Sequence, residues 1–237
     1  MQANTSFWTE YALYRPPQVS QSRTIVDLGC GNGTYASLLA EAFPRSSVTG
    51  VDPDPDLIAY GQNRPHPKNL KLINGDFTAL ETFDRIDLLI SRLVTMYVKQ
   101  PEGIASWAKT KAQDVVIIDA ADDLYEVFPD LPLFAEAQSK NNKRIEATGG
   151  NRDVVNRTEK IWTDAGFRLR RTHDIIVQNV PSINKYYLHH MMLLHAHVAT
   201  DSPPTLELMQ EIFEWSLKSD SYLQYGLRAR HFNNPDT

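Results

Sequence analysis

Three glycines and two acids are the residues whose spacing could do chemistry. Val26-Asp27-Leu28-Gly29-Cys30-Gly31-Asn32-Gly33 follows a short apolar run at 24–28 and precedes a helix-spaced stretch at 34–43, where Tyr35, Leu38, Leu39 and Ala42 share a face. Glycines between a strand and a helix let the backbone turn tightly and approach a ligand with no Cβ in the way. Asp52 ends the next β-branched run, 48–51, about 20 residues beyond the glycines, where an acid commonly accepts hydrogen bonds from ribose hydroxyls. The glycines fall at 29, 31 and 33, and Thr34 stands where the dinucleotide pattern has its last glycine. Asp27, inside the turn, would repel the pyrophosphate that a helix N-terminus otherwise attracts. The same acid can draw in an amino group, so the turn favours a nucleoside ligand bearing positive charge over a dinucleotide.

On these residues the chain resembles the class I S-adenosylmethionine (SAM) dependent methyltransferases, of the bacterial small-metabolite type. VDLGCGNG is similar to their motif I, and further segments agree in order: Asn74-Gly75-Asp76-Phe77, Ser91-Arg92-Leu93-Val94 and Ala165-Gly166-Phe167. The resemblance implies SAM as cofactor. It implies that Asp27, Gly29 and Gly31 line its methionine end, with Ser91 and Arg92 flanking that end. It places Asp52 on the ribose, Pro53 and Phe77 beside the adenine, and Asp76 on the adenine amino group. Cys30 reads as a small residue in a crowded turn, not a nucleophile.

For the acceptor, similar enzymes carry a histidine after the fourth strand, where this chain has Tyr97. They also carry an acid-rich start after the fifth strand and a G-G-[DN]-R segment. Here those are Asp119, Asp122 and Asp123, and Gly149-Gly150-Asn151-Arg152, which makes Asp122, Asp123 and Arg152 candidates for the acceptor pocket. Phe7, Trp8, Tyr11 and Tyr14, followed by Arg15, form an aromatic N-terminal segment. Residues 1–20 are expected to be a lid whose aromatic faces, Tyr11 among them, attract the sulfonium. His189, His190, His195 and His197 cluster in an apolar context without a neighbouring cysteine, so no metal site is expected. One of them could be a general base. Tyr11, Asp123 and His190 are the candidates for catalysis.

Strand-like runs at 24–28, 48–51, 70–73, 86–90, 115–118, 167–177 and 222–230 alternate with helical patterns at 34–43, 54–62 and 151–165. Such βα repetition predicts an α/β fold, a doubly wound, mostly parallel seven-stranded sheet. Residues 182–219, helical but broken at Pro203-Pro204, are expected to be an insertion shaping the acceptor pocket within a single domain, 1–237. That length can bury a full core. A net charge of −5 with no basic block argues against nucleic acid as partner. One cysteine excludes an internal disulfide and points to the cytoplasm. No run reaches the roughly 18 apolar residues of a membrane span, and the N-terminus lacks a signal-peptide pattern. The expectation is a methyltransferase of secondary metabolism, monomer or homodimer, acting on a small-molecule substrate, with no membrane partner. Its alternatives are an enzyme that cyclises SAM and releases methylthioadenosine, a non-catalytic SAM-binding protein, and a methyltransferase of macromolecules.

Overall fold

The computed structural model describes residues 21–81, 83–178 and 203–237. Eight strands form one sheet: β1 (Thr24–Leu28), β2 (Ser47–Asp52), β3 (Leu70–Asn74), β4 (Ile86–Arg92), β5 (Ala112–Ala120), β6 (Glu126–Phe128), β7 (Arg168–Gln178) and β8 (Tyr222–Asn233). The order is β3-β2-β1-β4-β5-β8-β6, with β7 also pairing β8. β1 to β5 are mutually parallel, and β6, β7 and β8 pair antiparallel. The expected seven strands are present, and the eighth is the three-residue β6, too short to show an alternation in sequence.

The described helices are α1 (Thr34–Ala42), α2 (Pro55–Gln62), α3 (Pro101–Lys111), α4 (Pro132–Ala147), α5 (Val154–Asp164) and α6 (Leu206–Leu217). Local chemistry fixes their ends. Asp54 caps α2 by accepting from the Asp56 and Leu57 amides, and Pro55 starts that helix with its fixed φ. Gly166, at φ 93°, stops α5, and the Phe167 amide turns back onto the Trp162 carbonyl at 3.1 Å. Thr205 caps α6 directly after Pro203-Pro204. The rest of the expected insertion, 182–202, lies outside the described residues.

Successive residues of a strand face opposite sides, and here both sides are covered. Ile25, Val48, Leu88, Ile90, Val116 and Ile118 pack with Leu39 and Ala40 of α1. Val26, Leu89, Val115 and Ile117 pack on the other face with Ala105 and Ala108 of α3 and Ile161 and Trp162 of α5. Burial on both faces is why these strands read as nearly unbroken apolar runs. A smaller cluster joins Phe134 and Ala137 of α4 to Leu208, Ile212 and Trp215 of α6.

The strand order reverses between β1 and β4, whose carboxyl ends lie side by side, with Leu28 opposite Ser91. Ligand crevices of open α/β sheets form at such a switch point. The sheet is anchored at its antiparallel side by Trp162, which meets Phe167 edge-on at 5.2 Å and stacks on Phe232 at 5.7 Å. Trp162→Ala is expected to lower unfolding free energy by about 3–5 kcal/mol in urea titrations. A loss below about 1 kcal/mol would show that the aromatic cluster does not hold α5 to the sheet.

Candidate functional site

The glycine turn is built by positive backbone angles and by anchors on β2. Gly29, Gly31 and Gly33 have φ values of 76°, 55° and 75°, which side chains with a Cβ rarely adopt. The Gly29 and Cys30 amides donate to the Val51 carbonyl at 2.8 and 3.0 Å. The three glycines have different jobs. A Cβ on Gly29 would sit 2.2 Å from a methyl of Val94, so this glycine admits the loop after β4. A Cβ on Gly33 would meet Leu72 at 2.8 Å. A Cβ on Gly31 would meet nothing within 4 Å among the described residues, so this backbone faces open space there. Burial, reinforced by the nearby Asp27 and Asp52 charges, pushes the Cys30 thiol far up, so it stays protonated and is no nucleophile.

Asp52 is fixed from two sides. Its Oδ2 accepts the Gly31 amide at 2.8 Å, and its Oδ1 accepts the Asp54 amide at 2.9 Å. Asn74, beside Asp52 in the sheet, holds the following turn by donating to the Asp52 and Pro53 carbonyls. Asp76 is exposed beyond β3, where its Oδ1 takes the Thr78 hydroxyl and amide at 2.6 and 2.8 Å. Those two hydrogen bonds hold its carboxyl below the usual range. Phe77 leans on Trp107 at 5.6 Å between ring centres. Asp27 is buried at the end of β1, next to Gly50 and Ile90.

At the end of β4, Ser91 is buried, and its Oγ has no hydrogen-bond partner among the described residues. The Arg92 guanidinium lies over the Tyr35 ring, 5.2 Å from its centre. Leu93 takes a left-handed φ of 59°, held by its amide on the Ile118 carbonyl at 2.7 Å. The Thr95 hydroxyl donates to Asp119 Oδ2, tying the loop after β4 to the end of β5. Asp119 is buried and its Oδ1 lacks a partner among the described residues. Burial pushes its carboxyl up to about 6, against the lowering pull of Thr95 and Arg152.

The acids after β5 diverge. Asp122 receives Arg152 Nε at 3.0 Å and Nη2 on its other oxygen, a two-pronged ion pair. Asp123 instead pairs with Arg228 at 2.9 Å, and Arg228 also holds Asp174 at 2.7 Å. The Gly149–Arg152 segment docks on the loop after β4, with the Asn151 amide on the Met96 carbonyl at 2.9 Å. Gly150 is required there, since a Cβ would lie 2.4 Å from that carbonyl oxygen. Tyr225 of β8 is deeply set, and the charged and phenolic groups acting on its hydroxyl are Arg152, Asp122, Arg92 and Tyr97. The structure thus brings Arg92, Asp122 and Arg152 of the sequence reading together, and it adds Tyr225, which looked like an ordinary strand residue. Tyr11 and the other N-terminal aromatics, and His189, His190, His195 and His197, lie outside the described residues. No cluster of three or more potential metal ligands occurs among the described residues, and no helix there is long and apolar enough to cross a membrane.

Residues 25–113 match the methyltransferase domain family. That match spans motif I, Asp52, Asp76 and the β4 loop, the segments that build the crevice. That segment is similar to the methyltransferase domain family, and the fold around it is that of class I methyltransferases. It is 30% identical over 100 residues to a malonyl-[acyl-carrier protein] O-methyltransferase of Anoxybacillus flavithermus, covering 42% of this chain and 37% of that one. The enzyme of that name from Halalkalibacterium halodurans is 22% identical over 215 residues, 84% of this chain and 77% of the relative. Thus the chain spans little more than a third of the first relative's length. Among solved structures, a Haemonchus contortus phosphoethanolamine N-methyltransferase in complex with S-adenosylhomocysteine has the same fold, with TM-score 0.61 and 14% identity over 98% of this chain and 53% of that one.

The crevice of this chain fits SAM, the cofactor that the resemblance implies. Asp52 has two fixed amide donors, and a carboxylate can accept about four hydrogen bonds, which leaves room for two hydroxyls. The open face of Gly31 admits close backbone approach. Asp27, Asp52 and Asp76 make the cofactor side acidic, as a sulfonium and an ammonium require. Asp119 gives this half of the molecule a pH dependence. Its folded carboxyl ionises less readily than in the unfolded chain, so it stabilises the fold below about pH 4, and this is lost as pH rises through about 6. Urea titrations of wild type and Asp119→Asn between pH 4 and 7 are expected to diverge by up to roughly 2–3 kcal/mol, with only the wild type losing stability. Parallel curves would mean that Asp119 is already ionised at pH 4.

Proposed function

We propose that this chain transfers a methyl group from SAM to a small-molecule acceptor. The observation that carries the reading is the Asp52 carboxylate, oriented by the Gly31 and Asp54 amides beside the open backbone of the turn. In this reading Asp27, Gly29 and Gly31 receive the methionine end, with Ser91 and Arg92 beside it. Asp52 takes the ribose hydroxyls, and Pro53, Asp76 and Phe77 hold the adenine. When bound, SAM supplies an electrophilic methyl carbon on a sulfonium that leaves as a neutral thioether. The work left to the protein is positioning and exclusion of water. The glycine turn and the β4 loop do this as one unit, because Val94 occupies the space that a Gly29 side chain would fill.

The names of the relatives support a methyl acceptor of metabolic size, since both act on a malonyl group carried on a protein. A place in secondary metabolism and a cytoplasmic location agree with this reading. The first test is incubation of the purified protein with SAM alone, with nucleosides followed by mass spectrometry. SAM should persist, and S-adenosylhomocysteine should accumulate only with an acceptor. Build-up of methylthioadenosine would overturn methyl transfer in favour of cyclisation of SAM itself. Asp52→Ala is expected to weaken S-adenosylhomocysteine binding in calorimetry by about 1–3 kcal/mol, the scale of a lost buried polar partner. Unchanged affinity would place the ribose elsewhere.

A further inference from the structure

The ends of β4, β5 and β8 hold a second group of polar residues that cofactor binding does not use. Arg152 reaches it from the Gly149–Arg152 loop, whose docking on Met96 fixes the position of the guanidinium. That guanidinium is recessed, with a side chain 15% exposed, whereas its partner Asp122 is 54% exposed. Nε and Nη2 grip the two Asp122 oxygens, the fork geometry by which arginine recognises a carboxylate. Among the described residues the remaining nitrogen, Nη1, makes only a 3.7 Å contact to the Met96 sulfur. Tyr225 lies on β8 beside the turn that carries Asp122, where the Ala121 amide donates to the Gly226 carbonyl at 3.0 Å. Arg152, Asp122, Arg92 and Tyr97 all act on its hydroxyl, which makes no hydrogen bond among the described residues. Tyr225 packs on the face that also carries Leu93 and Tyr35, the face on which Arg92 lies over Tyr35.

We infer that Arg152 and Tyr225 anchor a carboxylate of the acceptor, so that the molecule methylated is a small organic acid. The inference rests on the methyl-transfer reading above and names its substrate class. Asp122 shows the fork engaged by a carboxylate. A half-exposed carboxylate in a surface ion pair is weakly held and exchanges readily for another. One fork and a phenol suit a singly charged planar anion better than a phosphate, which brings three oxygens and close to two charges. In the transfer, the acceptor atom bonds to the methyl carbon as the carbon–sulfur bond breaks and its electron pair stays on sulfur. If that atom is an oxygen of a second carboxylate, no proton has to be removed.

The test is calorimetry on protein saturated with S-adenosylhomocysteine, using glutarate and tricarballylate as acid probes, glutaramide as the neutral isostere and inorganic phosphate as the other anion. The acids are expected to bind at least about 10-fold more tightly than glutaramide or phosphate. Arg152→Gln and Tyr225→Phe should each weaken the acids by about 5–10-fold while leaving S-adenosylhomocysteine affinity unchanged. Asp122→Asn, which removes the internal competitor, should tighten the acids several-fold, an effect that a merely structural ion pair would not produce. Because Arg152→Gln can disturb its loop, Tyr225→Phe and Asp122→Asn decide the matter in that event. Normal S-adenosylhomocysteine binding with no preference for the acids, a preference for phosphate, or weaker acid binding in Asp122→Asn would each overturn the inference alone. Failure of S-adenosylhomocysteine to bind would instead bring down the methyl-transfer reading on which it depends.

Discussion

The hydrogen bonds from the Gly29 and Cys30 amides to the Val51 carbonyl, with that from Gly31 to Asp52, fasten the first turn of the fold to the end of the second strand. The crevice depends on this junction. It forces left-handed backbone at the glycines, which excludes side chains on steric grounds. It also aims Asp52 by using the turn's own amide as a donor, so loop shape and ligand acceptor are set by one set of contacts. Gly29 then lets Val94 close in from β4, and Gly61 admits the Asn32 carbonyl that a Cβ would approach to 2.4 Å. The turn is thereby wedged between α2 and the β4 loop.

Around that junction the site divides into two electrostatic halves. Asp27, Asp52 and Asp76 lie at or just beyond the ends of the first three strands, while Arg152 lies in the loop docked on the segment after β4. A cationic cofactor and an anionic acceptor would each meet opposite charge. Arg152 has its own partner in Asp122. Asp123 differs from Asp122 by one position and yet serves Arg228, which also holds Asp174, a grouping that ties the turn after β5 to the middle of β8 and to β7.

The parallel half of the sheet was legible because its strands are buried on both faces, and Ile86–Ile90 or Val115–Ile118 can hardly be read otherwise. The glycine turn and Asp52 were legible because backbone geometry at such a turn leaves little choice of residue. α3 and α4 were not recognised. In α4 only Phe134, Ala137, Asn141 and Ile145 are buried, so a mostly polar surface masks the helical period. The partition of Asp122 and Asp123 was also out of reach, since it is set by arginines 30 and 105 residues away. Tyr225 is a strand residue whose electrostatic environment comes from three distant segments, β4 with its loop, the turn after β5 and the Gly149–Arg152 loop. Such contacts leave no local pattern in a sequence.

Asp119 shows how the two halves are coupled. A carboxylate buried among apolar residues is costly unless its hydrogen bonds are made. Asp119 has the Thr95 hydroxyl on one oxygen and no partner among the described residues on the other, and burial accordingly favours its protonated form. Such a residue is poor for stability, so its position calls for another reason. Thr95 opens the short helical turn that carries Met96 and Tyr97, and the Met96 carbonyl holds the loop bearing Arg152. Val94, one residue earlier, closes on Gly29. A shift of Thr95 would therefore move the cofactor turn and the arginine together. The buried acid fixes the one segment that touches both sides of the crevice, and an apolar residue of equal volume could fill the space without giving Thr95 anything to bind.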